Sequence, residues 1–137
     1  MIVFSAIRYT SHTYNNGDDI NGFDGFLANY GNSFDLASGI FTTPKPGIYE
    51  FSFAMFHRWE SSAYIQVWTN DVLFISFHSF AESDNSNDDT LSATWMMTLQ
   101  KNDRIKLTAH GLDSVTIFAC GSNNSNCLFN GKYIRSI

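Results

Sequence analysis

An all-β fold, a two-sheet antiparallel sandwich of the jelly-roll kind, is predicted by three observations. Apolar and polar residues alternate almost throughout, Gly, Asn and Asp turns recur between the alternating segments, and no long stretch carries helical spacing. The 137 residues suit one domain, 1–137, with a sizeable core, and 13 Phe, 6 Tyr and 3 Trp are available to fill it. About eight to ten short strands are expected, with neither the helix–strand alternation of a parallel sheet nor a repeat of constant period.

The elements follow in order. The segment IVFSAIRY reads as a first strand. After the turn signal Pro44-Lys45-Pro46-Gly47, the residues Tyr49, Phe51, Phe53 and Met55 share one side of a strand, and a buried sheet face is their simplest use. Ala63, Ile65 and Val67 line one face of a strand over 63–69, and Leu73, Ile75 and Phe77 line one face of the next, over 72–79. The Asn70-Asp71 step between them is a tight-hairpin signal. The segment AESDNSNDD, 81–89, has no core-forming residue and is expected to be a polar loop. Leu91, Ala93, Trp95, Met97 and Leu99 then alternate. A turn at Lys101-Asn102-Asp103 leads to a strand over 104–110 with Ile105 and Leu107 inward. Gly111-Leu112-Asp113 turns into Val115, Ile117 and Ala119, and the last strand spans 128–134.

Charge excludes several function classes. Only 15% of residues are charged, against roughly 25% in ordinary soluble domains, so Asn, Ser and Thr supply much of the polar surface. A net charge of -5 with scattered Lys and Arg offers no field for nucleic acid or an anionic membrane. No apolar run approaches the roughly 20 residues that cross a bilayer, so membrane insertion is not expected. The N-terminus shows neither basic leader nor cleavage site, so a secretory signal, if there is one, is expected to be absent from this sequence. Cys120 and Cys127 flank GSNNSN; a disulfide would staple the base of a hairpin in an oxidising compartment, and two buried thiols are the reading for a reducing one. One cysteine pair is too few for a structural zinc site. Asn123-Asn124-Ser125 forms a glycosylation sequon in the same turn.

No catalytic residues are expected. His12, His57, His78 and His110 each occur singly without metal or catalytic spacing, the serines lack a nucleophile-elbow motif, and Glu50, Glu60 and Glu82 form no evident carboxylate pair.

An aromatic pattern of fixed spacing runs through Phe23, Asn29, Phe34, Phe41, Gly47, Tyr49, Phe51 and Phe53. It resembles the signature of the complement C1q globular-domain family, with all positions and gaps fitting. Val3-Phe4-Ser5-Ala6 resembles that family's first strand, and Phe129-Asn130-Gly131-Lys132-Tyr133-Ile134 its closing segment. Leu99–Ile105 resembles its turn into a late strand, with Asn102 where Gly is usual, a mild change because Asn tolerates left-handed φ. On the residues' own chemistry, the signature aromatics fill a two-sheet core or a seam between subunits, and Gly39, Gly47 and Gly131 serve turns or close packing.

The resemblance implies a compact homotrimer with its terminal strands side by side at the base, secreted and extracellular, related more remotely to the tumour-necrosis-factor-like jelly rolls. No collagen-like or heptad stalk is present in the sequence. Some members of the family bind calcium near the apex, and counting back from Asp103 places Asp89 on such an acid, while Ala81 stands at another acidic position with Glu82 beside it. Glu82, Asp84, Asp88 and Asp89 are hard oxygen ligands of the type calcium takes, so calcium is a possible but not a required cofactor. His57-Arg58-Trp59-Glu60 is a second candidate surface, since a Trp beside an Arg can stack on a sugar or pin a protein loop. Tyr30 and Asn32 are further contact candidates in turn-rich sequence. Two functions follow: an innate-immune, lectin-like head that binds microbial surface glycans multivalently, or a secreted signalling or structural head that binds a protein receptor.

Overall fold

Period-two alternation resolves into thirteen strands among the residues that the computed structural model describes, 1–58, 62–80, 88–111, 114–117 and 127–137. They are β1 (Val3–Ile7), β2 (His12–Asn15), β3 (Asp18–Asp19), β4 (Gly25–Tyr30), β5 (Phe34–Asp35), β6 (Ile40–Thr42), β7 (Gly47–Arg58), β8 (Ser62–Thr69), β9 (Val72–Phe80), β10 (Asp88–Leu99), β11 (Arg104–His110), β12 (Ser114–Ile117) and β13 (Cys127–Arg135). The excess over eight to ten comes from two- to four-residue pieces, β2, β3, β5 and β6, which are too short to show a period.

All pairing is antiparallel, in two sheets. In the first, β4, β1, β13, β7 and β10 lie in that order. The far edge of β7 is shared, Ile48 to Met55 pairing with β13 and His57 and Arg58 with β12, which carries β2. The second runs β5-β6-β11-β8-β9, with β3 also on β11. Strands β1 and β13 are neighbours, and the Tyr133 N–H donates to the Ile2 carbonyl at 3.0 Å, so the terminal strands lie side by side as expected.

Every signature aromatic faces the space between the sheets. Phe23, Phe34, Phe41, Tyr49, Phe51 and Phe53 are buried, together with Phe4 and Phe129. Phe4 stacks on Phe34 with ring centres 4.4 Å apart and meets Phe129 edge-on at 5.2 Å. The Phe4–Phe34 stack joins the two sheets, and each fully buried ring contributes roughly 1.5–3 kcal/mol. Gly131 makes room for them: a Cβ there would stand 2.4 Å from Phe4 and 2.8 Å from Phe51. The Asn70-Asp71 turn has φ of 50° and 65°, the two left-handed residues of a type I′ hairpin, and Asn102 takes φ 73° in its glycine-like position.

Two expectations are corrected. Asp88 and Asp89 do not belong to a loop; they open β10, opposite Arg58 and His57. The long partner β7 offers ladder hydrogen bonds there, which outweigh the poor strand propensity of Asp. Leu73 does not face inward and is 45% exposed, while Ile75, opposite buried Val67, keeps the inward parity but is 36% exposed at the sheet edge. Strand β9 is the sheet edge, and its pairing slips between Val67↔Ile75 and Trp68↔Leu73, leaving Phe74 as the extra residue of a bulge. The bulge rotates Leu73 to the face opposite Ile75.

Candidate functional site

The strand ends divide the sandwich into two poles. At one lie Val3, Tyr30, Gly47, Leu99 and Lys132, with both termini; at the other lie Ile7, Gly25, Arg58, Asp88 and Cys127. Strand β7 is twelve residues long, so it outruns β13 at the second, distal pole. There its last residue, Arg58, stands opposite Asp88 on one side and Thr116 on the other. Two acids of the polar segment are thereby set in register with the His57–Arg58 pair, by backbone pairing. Trp59, Glu60, Glu82, Asp84 and Cys120 lie outside the described residues. Cys127 is fully buried at the start of β13. Among the described residues no group of three or more His, Cys, Asp or Glu is placed to hold a metal ion.

Beneath this pole lies a residue that composition alone did not single out. Arg8 is 3% exposed, and its backbone N–H donates to the Cys127 carbonyl at 3.2 Å. Its guanidinium donates to the Tyr14 hydroxyl, to the Asn21 carbonyl at 2.8 Å and, through Nε, to the Thr10 carbonyl at 2.8 Å. Burial pushes the Tyr14 hydroxyl above its ordinary range despite the nearby cation. The alternation that buries Phe4 and Ala6 continues to Arg8, and that parity was the available signal. Arg8→Ala is expected to cost about 3 kcal/mol in urea unfolding, since it removes a buried side chain and the hydrogen bond it gives the Tyr14 hydroxyl, although the Asn21 carbonyl keeps the Tyr14 hydroxyl as donor at 2.8 Å.

Tyr30 and Asn32 belong to the opposite pole. Tyr30 is exposed, and Asn32 (φ 48°) accepts a hydrogen bond from Asn29 Nδ2 at 3.3 Å, which gives the signature asparagine a turn-bracing role. Asn32 borders an open depression of about 460 Å³ with Ser33, Asp35, Thr42, Thr43 and Asn102. The candidate contacts therefore do not form one site. A second open depression, about 340 Å³, lies over β1, β7 and β13. Ser5 Oγ donates there to Asn130 Oδ1, Asn130 Nδ2 donates to Ser52 Oγ at 3.2 Å, and Lys132 pairs with Glu50 at 3.2 Å.

The apolar surface gathers elsewhere. Val72, Leu73, Phe74 and Ile75, on edge strand β9, are 68%, 45%, 47% and 36% exposed. Across the open side of the sandwich lies edge strand β10, where Trp95 packs on Phe77 at 5.5 Å and its buried Nε1 has no hydrogen-bond partner. An uncharged, apolar edge strand invites pairing with another chain, and natural proteins normally blunt such edges.

The described residues thus form a two-sheet antiparallel sandwich with adjacent terminal strands and two open surface depressions. Residues 3–132 match the C1q domain, and the chain belongs to that family. Its members are recognition or ligand modules, and the chain is not an enzyme. Solved structures share the fold. The globular domain of zebrafish complement 1qA protein aligns over 100% of both chains with a TM-score of 0.74 at 21% identity. Eiger TNF from S. frugiperda aligns over 99% of this chain and 94% of its own, with a TM-score of 0.80 at 7% identity. Murine APRIL aligns over 96% and 98%, with a TM-score of 0.66 at 8% identity.

Proposed function

We propose that the chain is an extracellular, homotrimeric head that binds a protein receptor. The observation that carries this reading is the exposed β9 strip Val72–Ile75, on the strand whose Phe77 packs against the buried Trp95. Four consecutive apolar side chains on a sheet edge are a hazard in an isolated monomer and an asset in an assembly, where a neighbouring copy covers them. The kinship with C1q heads and the shape shared with tumour-necrosis-factor folds support the same assembly and a ligand role.

The described depressions are open and carry a mixed lining of apolar, hydroxyl, amide and charged side chains, which suits a broad protein surface better than an enclosed small ligand. The distal pole, where β7 ends at Arg58, is the contact surface in this reading, with Trp59 and Glu60 next in sequence, and calcium is not required. Three copies of a weak contact reach useful strength together.

Phe74→Asp is the direct variant. It is expected to reduce the assembly to single chains by light scattering, to leave the circular dichroism spectrum intact, and to weaken binding to an immobilised receptor by about 100-fold. The receptor is sought by screening the assembled protein against an extracellular protein library, beside a glycan array run with and without calcium. Binding to one protein with no glycan signal supports the proposal. Glycan binding lost on chelation would overturn it in favour of a calcium-assisted lectin using Glu82, Asp84, Asp88 and Asp89.

A further inference from the structure

Three rings form a ladder across the outward face of the second sheet. Pairing sets His110 of β11 opposite Tyr64 of β8, and Tyr64 opposite His78 of β9. The rings stack: Tyr64 lies 4.7 Å from His110 at 8° between planes, and 4.7 Å from His78 at 22°. One imidazole thus covers each face of the tyrosine.

A hydrogen-bond chain meets this ladder at His110. Trp68 Nε1 donates to Thr108 Oγ1 at 2.9 Å, and Thr108 Oγ1 lies 2.7 Å from His110 Nε2. Thr108 is 4% exposed, so its single hydroxyl hydrogen needs an internal acceptor, and His110 Nε2 is in position. That assignment leaves the ring neutral, with its proton on Nδ1. Adding a proton to Nε2 aims two N–H donors at one oxygen and strands the threonine hydrogen in a buried site.

The surrounding charges do not rescue the cation. The titratable or charged groups on strands packed against β11 are His12 and Tyr14 on β2, Asp18 and Asp19 on β3 and Tyr64 on β8, with His78 on β9 across Tyr64 and with Arg104 and Lys106 on β11 itself. Asp19 is paired with Lys106 at 3.0 Å, and the Asp18 carboxylate accepts the Asn15 N–H at 2.8 Å.

We propose that His110 is an acid-operated latch. Neutral, it ties β11 to β8 through Thr108, Trp68 and the Tyr64 stack; on taking a proton from solvent it leaves Thr108 for water and frees this corner of the sheet beside the distal pole. Gly111, which follows, donates its N–H to Asn16 Oδ1 at 3.2 Å, tying the end of β11 to the segment after β2.

Burial alone holds the His110 imidazole below the usual histidine range. The unfolded chain, with an ordinary histidine near 6.5, therefore binds more protons than the folded one as pH falls. The latch's contribution to stability is complete above about pH 6.5 and is lost as pH drops through that value toward the lower folded one.

The test uses the full chain. Imidazole NMR titration is expected to give His110 a midpoint below 6.5, and the emission of Trp68, taken as the difference from Trp68→Phe, is expected to shift with the same midpoint. Thr108→Val should raise the His110 midpoint toward 6.5 and uncouple Trp68 emission from pH. Should that variant fail to fold, His110→Gln serves: its melting temperature should fall less than that of the native protein between pH 7 and pH 5. An ordinary His110 midpoint, Trp68 emission indifferent to pH, or an unchanged loss of melting temperature in His110→Gln would each overturn the latch.

Discussion

Phe51→Ala is expected to cost about 4 kcal/mol, most of the stability of a domain at the low end of the common range of about 5–15 kcal/mol. Phe51 is fully buried at the centre of the strand that both β10 and β13 grip. Its ring meets Phe41 at 5.3 Å, Trp95 at 5.7 Å and Phe129 at 6.3 Å, so truncation opens a cavity lined by rings from both sheets. Flat rings fill a gap left by another ring poorly, which places the cost in the upper part of the range for large-to-small changes. Guanidinium unfolding followed by tryptophan emission measures it. A loss below about 1 kcal/mol would mean that the aromatic cluster is not the keystone of the sandwich.

Gly131→Ala is the opposite experiment, addition in place of removal, and is expected to cost about 3 kcal/mol. The new methyl would enter between Phe4 and Phe51 at 2.4 and 2.8 Å, distances at which the rings must move. Neither ring has space to yield, because Phe4 is already stacked on Phe34 and packed edge-on against Phe129. The double variant Gly131→Ala with Phe51→Leu should recover part of the loss, since the smaller side chain vacates the methyl's position. Additive losses would place the strain in the backbone of β13 instead.

The long strands were legible because their alternation was unambiguous. Tyr49, Phe51, Phe53 and Met55 left only one parity for the core of β7, and the structure buries all four. The run Val72-Leu73-Phe74-Ile75 carries apolar residues in both parities, so period two could not choose a face or reveal the bulge at Phe74. Asp88 and Asp89 resembled loop residues because the local chain has no strand preference; what makes them a strand is the length of β7, a non-local cause. The ring ladder was hidden for a related reason. Tyr64, His78 and His110 are far apart in sequence, and only the strand order β11-β8-β9 and its register bring them into one row. Arg8 was readable in principle, as the next inward parity after Phe4 and Ala6, one residue past β1, but a charged residue at that parity counts against burial until its partners from Thr10, Tyr14 and Asn21 are known. Sequence therefore carried the scaffold well and the surface poorly, because surface constellations depend on which strands become neighbours.

Oligomeric mass in solution tests the central reading most directly, since the receptor-binding head depends on copies of the chain covering one another's β9 edge. Multi-angle light scattering at micromolar concentration is predicted to give three times the 15.5 kDa of one chain for the native protein, and 15.5 kDa for Phe74→Asp with its secondary structure unchanged. A native protein that runs as a folded 15.5 kDa monomer, with Val72–Ile75 accessible to solvent, would contradict it.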